Sequence, residues 1–85
     1  MAKYRVLIKA SAAKELEVLP RKDRVAVARR IDDLGGDPRP PGCQKLSGDE
    51  KYRIRQGSYR ILYIIEDRDI VVVIVKIGHR RDVYK

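Results

Sequence analysis

Tyr4, Val6 and Ile8 alternate with Arg5, Leu7 and Lys9, and this period of two predicts a β-strand with one buried face. The spacing then lengthens. Ser11 is placed to cap a short helix carrying Ala12, Leu16 and Leu19 on one side. Pro20 interrupts that helix and can serve as the first residue of the next. Val27, Ile31 and Leu34 recur at helical spacing, Ala28 widens their stripe, and Gly35-Gly36 stops the run. A strand followed by a helical hairpin is therefore predicted for the first part of the chain.

Asp37-Pro-Arg-Pro-Pro-Gly42 is too proline-rich for a helix or an inner strand and reads as a rigid connector. Gln44–Leu46 can form a short strand closed by the turn residues Ser47-Gly48-Asp49. Three longer strands follow: Tyr52–Gln56 ending at Gly57-Ser58, Tyr59–Glu66 ending at Asp67-Arg-Asp69, and Ile70–Ile77 ending at Gly78. Ile70–Val75 is apolar at every position, the pattern of a central strand covered on both faces. The expected fold class is α+β: an N-terminal strand and a helical hairpin packed on one face of a twisted, mostly antiparallel sheet of four to five strands. The first strand is expected beside the last, and the sheet face away from the helices is expected to be partly open.

Eighty-five residues set the expectation of one domain spanning 1–85. Trp and Phe are absent, so Val, Ile, Leu and Tyr must supply the core. The formal net charge of +8 favours an acidic partner. The excess is concentrated late, with nine basic against four acidic residues between 51 and 85. Cys43 is the only cysteine, which excludes an intramolecular disulfide and leaves no Cys/His set for structural zinc; it is expected as a small packed residue. No apolar run reaches transmembrane length and the first residues lack a signal-peptide hydrophobic region, so a cytoplasmic location without membrane association is expected.

Three segments carry the candidate chemistry. In Tyr52-Arg-Ile-Arg-Gln56, alternation sends Tyr52 and Ile54 one way and Arg53 and Arg55 the other. The turn at Gly57-Ser58 returns Arg60 toward them, opposite Tyr59, Ile61, Tyr63 and Ile65. The last strand then delivers His79, Arg80 and Arg81, with Gly78 allowing a sharp change of direction and Tyr84 on the tail. Guanidiniums grip phosphate through paired hydrogen bonds at a charge that never switches off. Placed in advance, they bind the extra charge of a phosphodiester transition state better than the substrate. Tyr84 can stack on an unpaired base. RNA is the polyanion this set fits best. Arg5, Lys9, Lys14 and the arginines of the second helix are expected to be solvated surface or partner contacts, and Tyr52, Tyr59 and Tyr63 to belong to the core.

At these segments the chain resembles the RelE toxins of toxin–antitoxin pairs, within the RelE/ParE superfamily. The likeness runs nearly end to end, through Tyr-Arg-Val-Leu-Ile at 4–8, Ala-Lys-Glu-Leu-Glu-Val-Leu-Pro at 13–20, Asp-Pro-Arg-Pro-Pro-Gly at 37–42, Lys-Leu-Ser-Gly at 45–48, Ser-Tyr-Arg-Ile-Leu-Tyr at 58–63, and Ile-Gly-His-Arg-Arg-Asp-Val-Tyr at 77–84. The resemblance implies a ribosome-dependent endoribonuclease that cuts mRNA in the A site by attack of the substrate's own 2′-hydroxyl, without metal or other cofactor. It implies a RelB-like antitoxin, acidic or amphipathic, as cognate partner, with operator DNA bound only through the toxin–antitoxin complex. By position it implies catalytic roles for Arg53, Arg55, Arg60, Arg80 and Tyr84, Arg60 holding the scissile phosphate. Arg81 joins Arg53, Arg60, Arg80 and Tyr84 as an RNA-binding residue.

The best-studied members carry lysines where Arg53 and Arg55 stand, and one of these is a proposed general base. Arginine is a poor base because its pKa lies above about 12. The proton acceptor is therefore either His79, whose ordinary range spans neutrality, or absent, leaving a slower site that works by positioning and electrostatics. Two other functions fit the same fold: a ParE-like gyrase inhibitor that cuts nothing, and a non-enzymatic RNA- or DNA-binding module.

Overall fold

Five strands form one sheet in the order β1-β5-β4-β3-β2, with two helices packed on one face. The computed structural model describes residues 3–46 and 50–79. The elements are β1 (Arg5–Ile8), α1 (Ala10–Glu17), α2 (Arg21–Asp33), β2 (Gln44–Lys45), β3 (Lys51–Gln56), β4 (Tyr59–Glu66) and β5 (Val71–His79). The α+β architecture is as expected, and so is the pairing of the first strand with the last. β1 runs parallel to β5, Arg5 opposite Val71 and Ile8 opposite Ile74, while every other pair is antiparallel. The turn expected at Ser47-Gly48-Asp49 lies outside the described residues.

Alternation along the strands sets what the helices cover. Tyr52 and Ile54 of β3, Ile61, Tyr63 and Ile65 of β4, and Val72, Ile74 and Ile77 of β5 are buried with Ala12, Val27, Ile31 and Leu34. Cys43 packs against this cluster, as its small apolar character suggests. The helix ends differ from expectation by a residue or two: Lys9 occupies the N-cap of α1, so Ser11 lies inside the first turn, and Pro20 is the N-cap of α2. Among the described residues, no helix is long and apolar enough to cross a membrane.

The last strand departs from expectation in three ways. Val72 and Ile74 are fully buried, but Val71, Val73 and Val75 are only partly so, because the helices cover one face and, among the described residues, nothing comparable covers the other. Ile70 stands before the strand in the turn, at a positive φ of 56° that is strained for a β-branched residue. β5 also continues past Gly78, which pairs with Arg60 inside the ladder, to His79. Gly78 is thus no turn residue. Cross-strand partners share a face, so its missing side chain leaves the place beside Arg60 open.

A clasp ties the connector to the far end of the sheet. The Arg39 guanidinium meets the Asp67 carboxylate through two hydrogen bonds of 2.8 and 3.1 Å, and its Nε donates to the Tyr52 hydroxyl at 3.2 Å. Tyr4 donates to the same carboxylate at 2.7 Å, which joins the start of β1 to the turn between β4 and β5. Arg39 first, and Tyr4 second, hold the Asp67 carboxyl at about 2. A carboxyl with a depressed folded-state pKa stabilises the fold above its ordinary titration range, and that part is lost as pH falls toward 2. Asp67→Asn should therefore lower the melting temperature at pH 7 and change it much less at pH 2, as thermal unfolding at the two pH values will measure. Both partners are about half exposed, so the loss should be modest.

Candidate functional site

The hairpin between β3 and β4 builds the arginine cluster. Gln56 and Tyr59 are its closing pair, and Gly57 takes a φ of +59° at the first loop position, as in the type II′ turn that suits two-residue hairpins. That register puts Arg55 directly opposite Arg60 and Arg53 opposite Leu62. With Tyr52, Ile54 and Ile61 turned to the helices, Arg53, Arg55 and Arg60 share the other face. Gln44 of β2 pairs with Arg53, and its Oε1 accepts a hydrogen bond from the Arg53 guanidinium.

Exposure grades across the three. Arg55 is exposed, Arg53 is half-buried, and Arg60 is only 8% exposed. A buried arginine held by its strand cannot swing freely, so its charge keeps a fixed position. A cavity of about 40 Å³ opens between Arg55, Gly57, Tyr59 and Arg60. A single water needs roughly 10–15 Å³ of such space, so the cavity seats a small oxyanion group rather than a nucleotide. A second cavity, of about 340 Å³, lies on the other side of Arg55, lined by Arg30, Gly42, Gln44, Arg53, Ile54 and Arg55. Toward the far end of β3 and β4, a third has Glu50 and Glu66 in its wall beside Lys51 and Ile64. The open face of β3 and β4 is therefore cationic at the hairpin end and carries carboxylates at the other, so a polyanion is drawn toward the hairpin.

His79 stands apart from these arginines. A bulge in β5 sets Leu62 opposite Lys76 but Tyr63 opposite Ile74, so Val75 is an extra residue. Beyond it Ile77 turns into the core, Gly78 falls opposite Arg60, and His79 falls opposite Tyr59. Its imidazole meets the Tyr59 ring edge-on, with centroids 6.0 Å apart. Tyr59 itself donates to Asp23 of α2 at 3.1 Å, which fixes that side of the strand as the helix side. Burial first, and then Asp23, raise the Tyr59 hydroxyl above its ordinary range, so it is a proton donor and not a base at neutral pH. Arg80, Arg81 and Tyr84 lie outside the described residues.

Arg30 joins the cluster although its place in the second helix gives no sequence signal for it. It lies seven residues after Asp23, on the same helical stripe, where α2 faces β3. Its Nε is buried without a hydrogen-bond partner among the described residues. Only the register of α2 against the edge of β3 brings it to Arg53 and Arg55.

Comparison with known proteins agrees with this geometry. Residues 6–84 match the family model of the ParE toxin of the type II toxin–antitoxin system parDE. Toxin RelG of Mycobacterium tuberculosis is 34% identical over 86 residues, covering 96% of this chain and 97% of that protein. The archaeal RelE–RelB complex from Pyrococcus horikoshii contains a chain that superposes with a TM-score of 0.83 at 33% identity, over 96% of this chain and 99% of that one. The toxin–antitoxin complex RelBE2 of M. tuberculosis gives 0.81 at 31% identity, over 92% and 99%. Matched by a family model over residues 6–84 and by relatives above 30% identity that align nearly end to end, the chain belongs to the RelE family of type II toxin–antitoxin toxins, within the RelE/ParE superfamily.

Proposed function

We propose that this toxin is a ribosome-dependent endoribonuclease that cuts mRNA in the A site. The observation that carries the reading is the direct pairing of exposed Arg55 with buried Arg60 around a cavity the size of one oxyanion. The 2′-hydroxyl of the message attacks the adjacent phosphorus, and charge gathers on the non-bridging oxygens. Arg60 holds those oxygens from below, and Arg55 closes on them from the exposed side. Arg53 binds the neighbouring backbone. Arg80 and Arg81 extend the cationic surface, and Tyr84 stacks on a base and orients it. The rate comes chiefly from positioning and electrostatic stabilisation, since arginines are poor proton acceptors.

One group near the arginines has an ordinary titration range that spans neutrality, His79, and its ring faces Tyr59 on the helix side of the strand end. Tyr59, between His79 and the arginines, lines the small cavity with its hydroxyl committed to Asp23. We expect His79→Ala to leave the pH profile of cleavage unchanged. A profile that loses its limb near neutrality would make the imidazole the general base or acid.

A RelB-like antitoxin is the proposed cognate partner, supported by relatives crystallised as RelB–RelE complexes. An acidic or amphipathic segment suits the arginine face, and operator DNA is reached only through that complex. A cytoplasmic site of action follows from the ribosome as target. The match to a ParE family model favours one second reading, a gyrase inhibitor without nuclease activity. Cell-free translation with primer extension on the message separates them. Cuts inside codons, seen only with ribosomes present, support the nuclease; an uncut message with gyrase supercoiling inhibited supports the other.

A further inference from the structure

We propose that the cavity of about 340 Å³ between α2, the connector and the edge of β3 is a second RNA phosphodiester subsite, with Arg30 as a binding residue. The proposal rests on the nuclease reading and extends it by one backbone step beside the cut. The volume falls in the lower part of the roughly 300–1,000 Å³ range of small-ligand sites, enough for a phosphate with part of its sugar.

Three features favour an anion of this kind. First, Arg30, Arg53 and Arg55 line the cavity, and no carboxylate does so among the described residues. Of the carboxylates near the Arg30 stripe, Asp23 is engaged by the Tyr59 hydroxyl and Asp33, three residues beyond Arg30, makes no ion pair with it. Second, Arg30 keeps a buried Nε without a hydrogen-bond partner among the described residues. A phosphate oxygen is the acceptor such a donor is suited to. Third, the spacing fits a chain. Arg53 and Arg55 are two residues apart on β3, about 6.6–6.8 Å at strand rise, a step of the same order as successive phosphates in an extended nucleic acid strand. Arg55 borders both cavities, so a strand gripped at the smaller one passes directly into the larger. β2 reaches no further along β3 than Arg53, which among the described residues leaves the edge beyond Arg53 free of a neighbouring strand and gives the RNA its way in.

The test is binding of a short single-stranded RNA, 2′-O-methylated throughout so that it cannot be cut, followed by fluorescence anisotropy over a salt series. Each phosphate contact on a single strand contributes about 0.7 to the slope of log affinity against log salt. Arg30→Gln should weaken binding at low salt and reduce the slope by about 0.7, and Arg30→Lys should restore most of it. A neutral methylphosphonate placed one step from the scissile position should reduce the wild-type slope by the same amount and have no further effect in Arg30→Gln. A slope unchanged in Arg30→Gln, additive effects of the two changes, or no binding by the wild-type protein at low salt would each overturn the subsite. Far-UV circular dichroism of each variant verifies the fold, and Arg30→Met, which also removes the charge, carries the comparison if the glutamine variant does not fold. The ribosome assay stays independent of this measurement. Failure to cut with the slope change present removes the nuclease reading alone, and cutting without the slope change removes the subsite alone.

Discussion

Replacing Arg60 with alanine is expected to lower the rate of message cleavage by about 2–4 kcal/mol of transition-state stabilisation, or ~30- to 1,000-fold. Growth arrest on expression should disappear with it. The reason is position. Arg60 is the buried member of the cluster, fixed by β4 and facing the small cavity with Arg55 opposite. Water cannot take over its role at that depth, and a donor fixed before the reaction needs no reorganisation during it. Arg60→Lys should recover part of the rate, because the charge survives while the paired hydrogen-bonding fork is lost. Single-turnover cleavage on programmed ribosomes measures the effect, and circular dichroism verifies that the sheet is intact. Full toxicity of a folded Arg60→Ala protein would refute the assigned phosphate site.

One residue further on, the expectation reverses. Ile61→Ala should cost about 2–5 kcal/mol of stability, the usual loss for truncating a buried isoleucine. Ile61 is wholly buried, between Ile54 of β3 and Ile77 of β5 in the ladder. A domain of this size holds on the order of 5–15 kcal/mol in total, so the melting temperature should fall by roughly 10–30 °C. At low temperature, where the variant remains folded, the cut per folded molecule should stay near wild type. Together the two substitutions divide β4 by face, one side for the core and the other for the anion. Loss of activity without loss of stability in Ile61→Ala would contradict that division.

The two faces of β3 were legible because Tyr52 to Gln56 alternates without interruption, and those of β4 at the hairpin because Arg60 stands between Tyr59 and Ile61. The pairing of Arg55 with Arg60 followed from Gly57-Ser58, a loop too short to allow another register. β5 was different. Its run of Val and Ile carries no alternation, so nothing in it marks Val75 as the extra residue. A slip of one position reverses every side chain beyond it, and His79 was expected to reach the arginines through a change of direction at Gly78, whereas the strand runs on through Gly78 and the bulge sets the face of His79. Arg30 was hidden for a different reason. Charged residues on a helix look alike until the helix is docked, and only its contact with the edge of β3 separates Arg30 from Arg24 and Arg29. The Arg39–Asp67 clasp likewise depends on two loops meeting across the end of the sheet.

The parallel pairing of β1 with β5 has a consequence for how the molecule comes into being. Arg5 and Val71 are neighbours in space but among the most distant partners along the chain, with both helices and three strands between them. During synthesis the opening strand has nothing to pair with until the closing one has left the exit tunnel. Helical hairpin and antiparallel meander can form as they emerge, whereas the edge they leave must wait. Completion of the sheet should be the slow, late event, and a nascent toxin should stay incompletely folded until β5 has emerged.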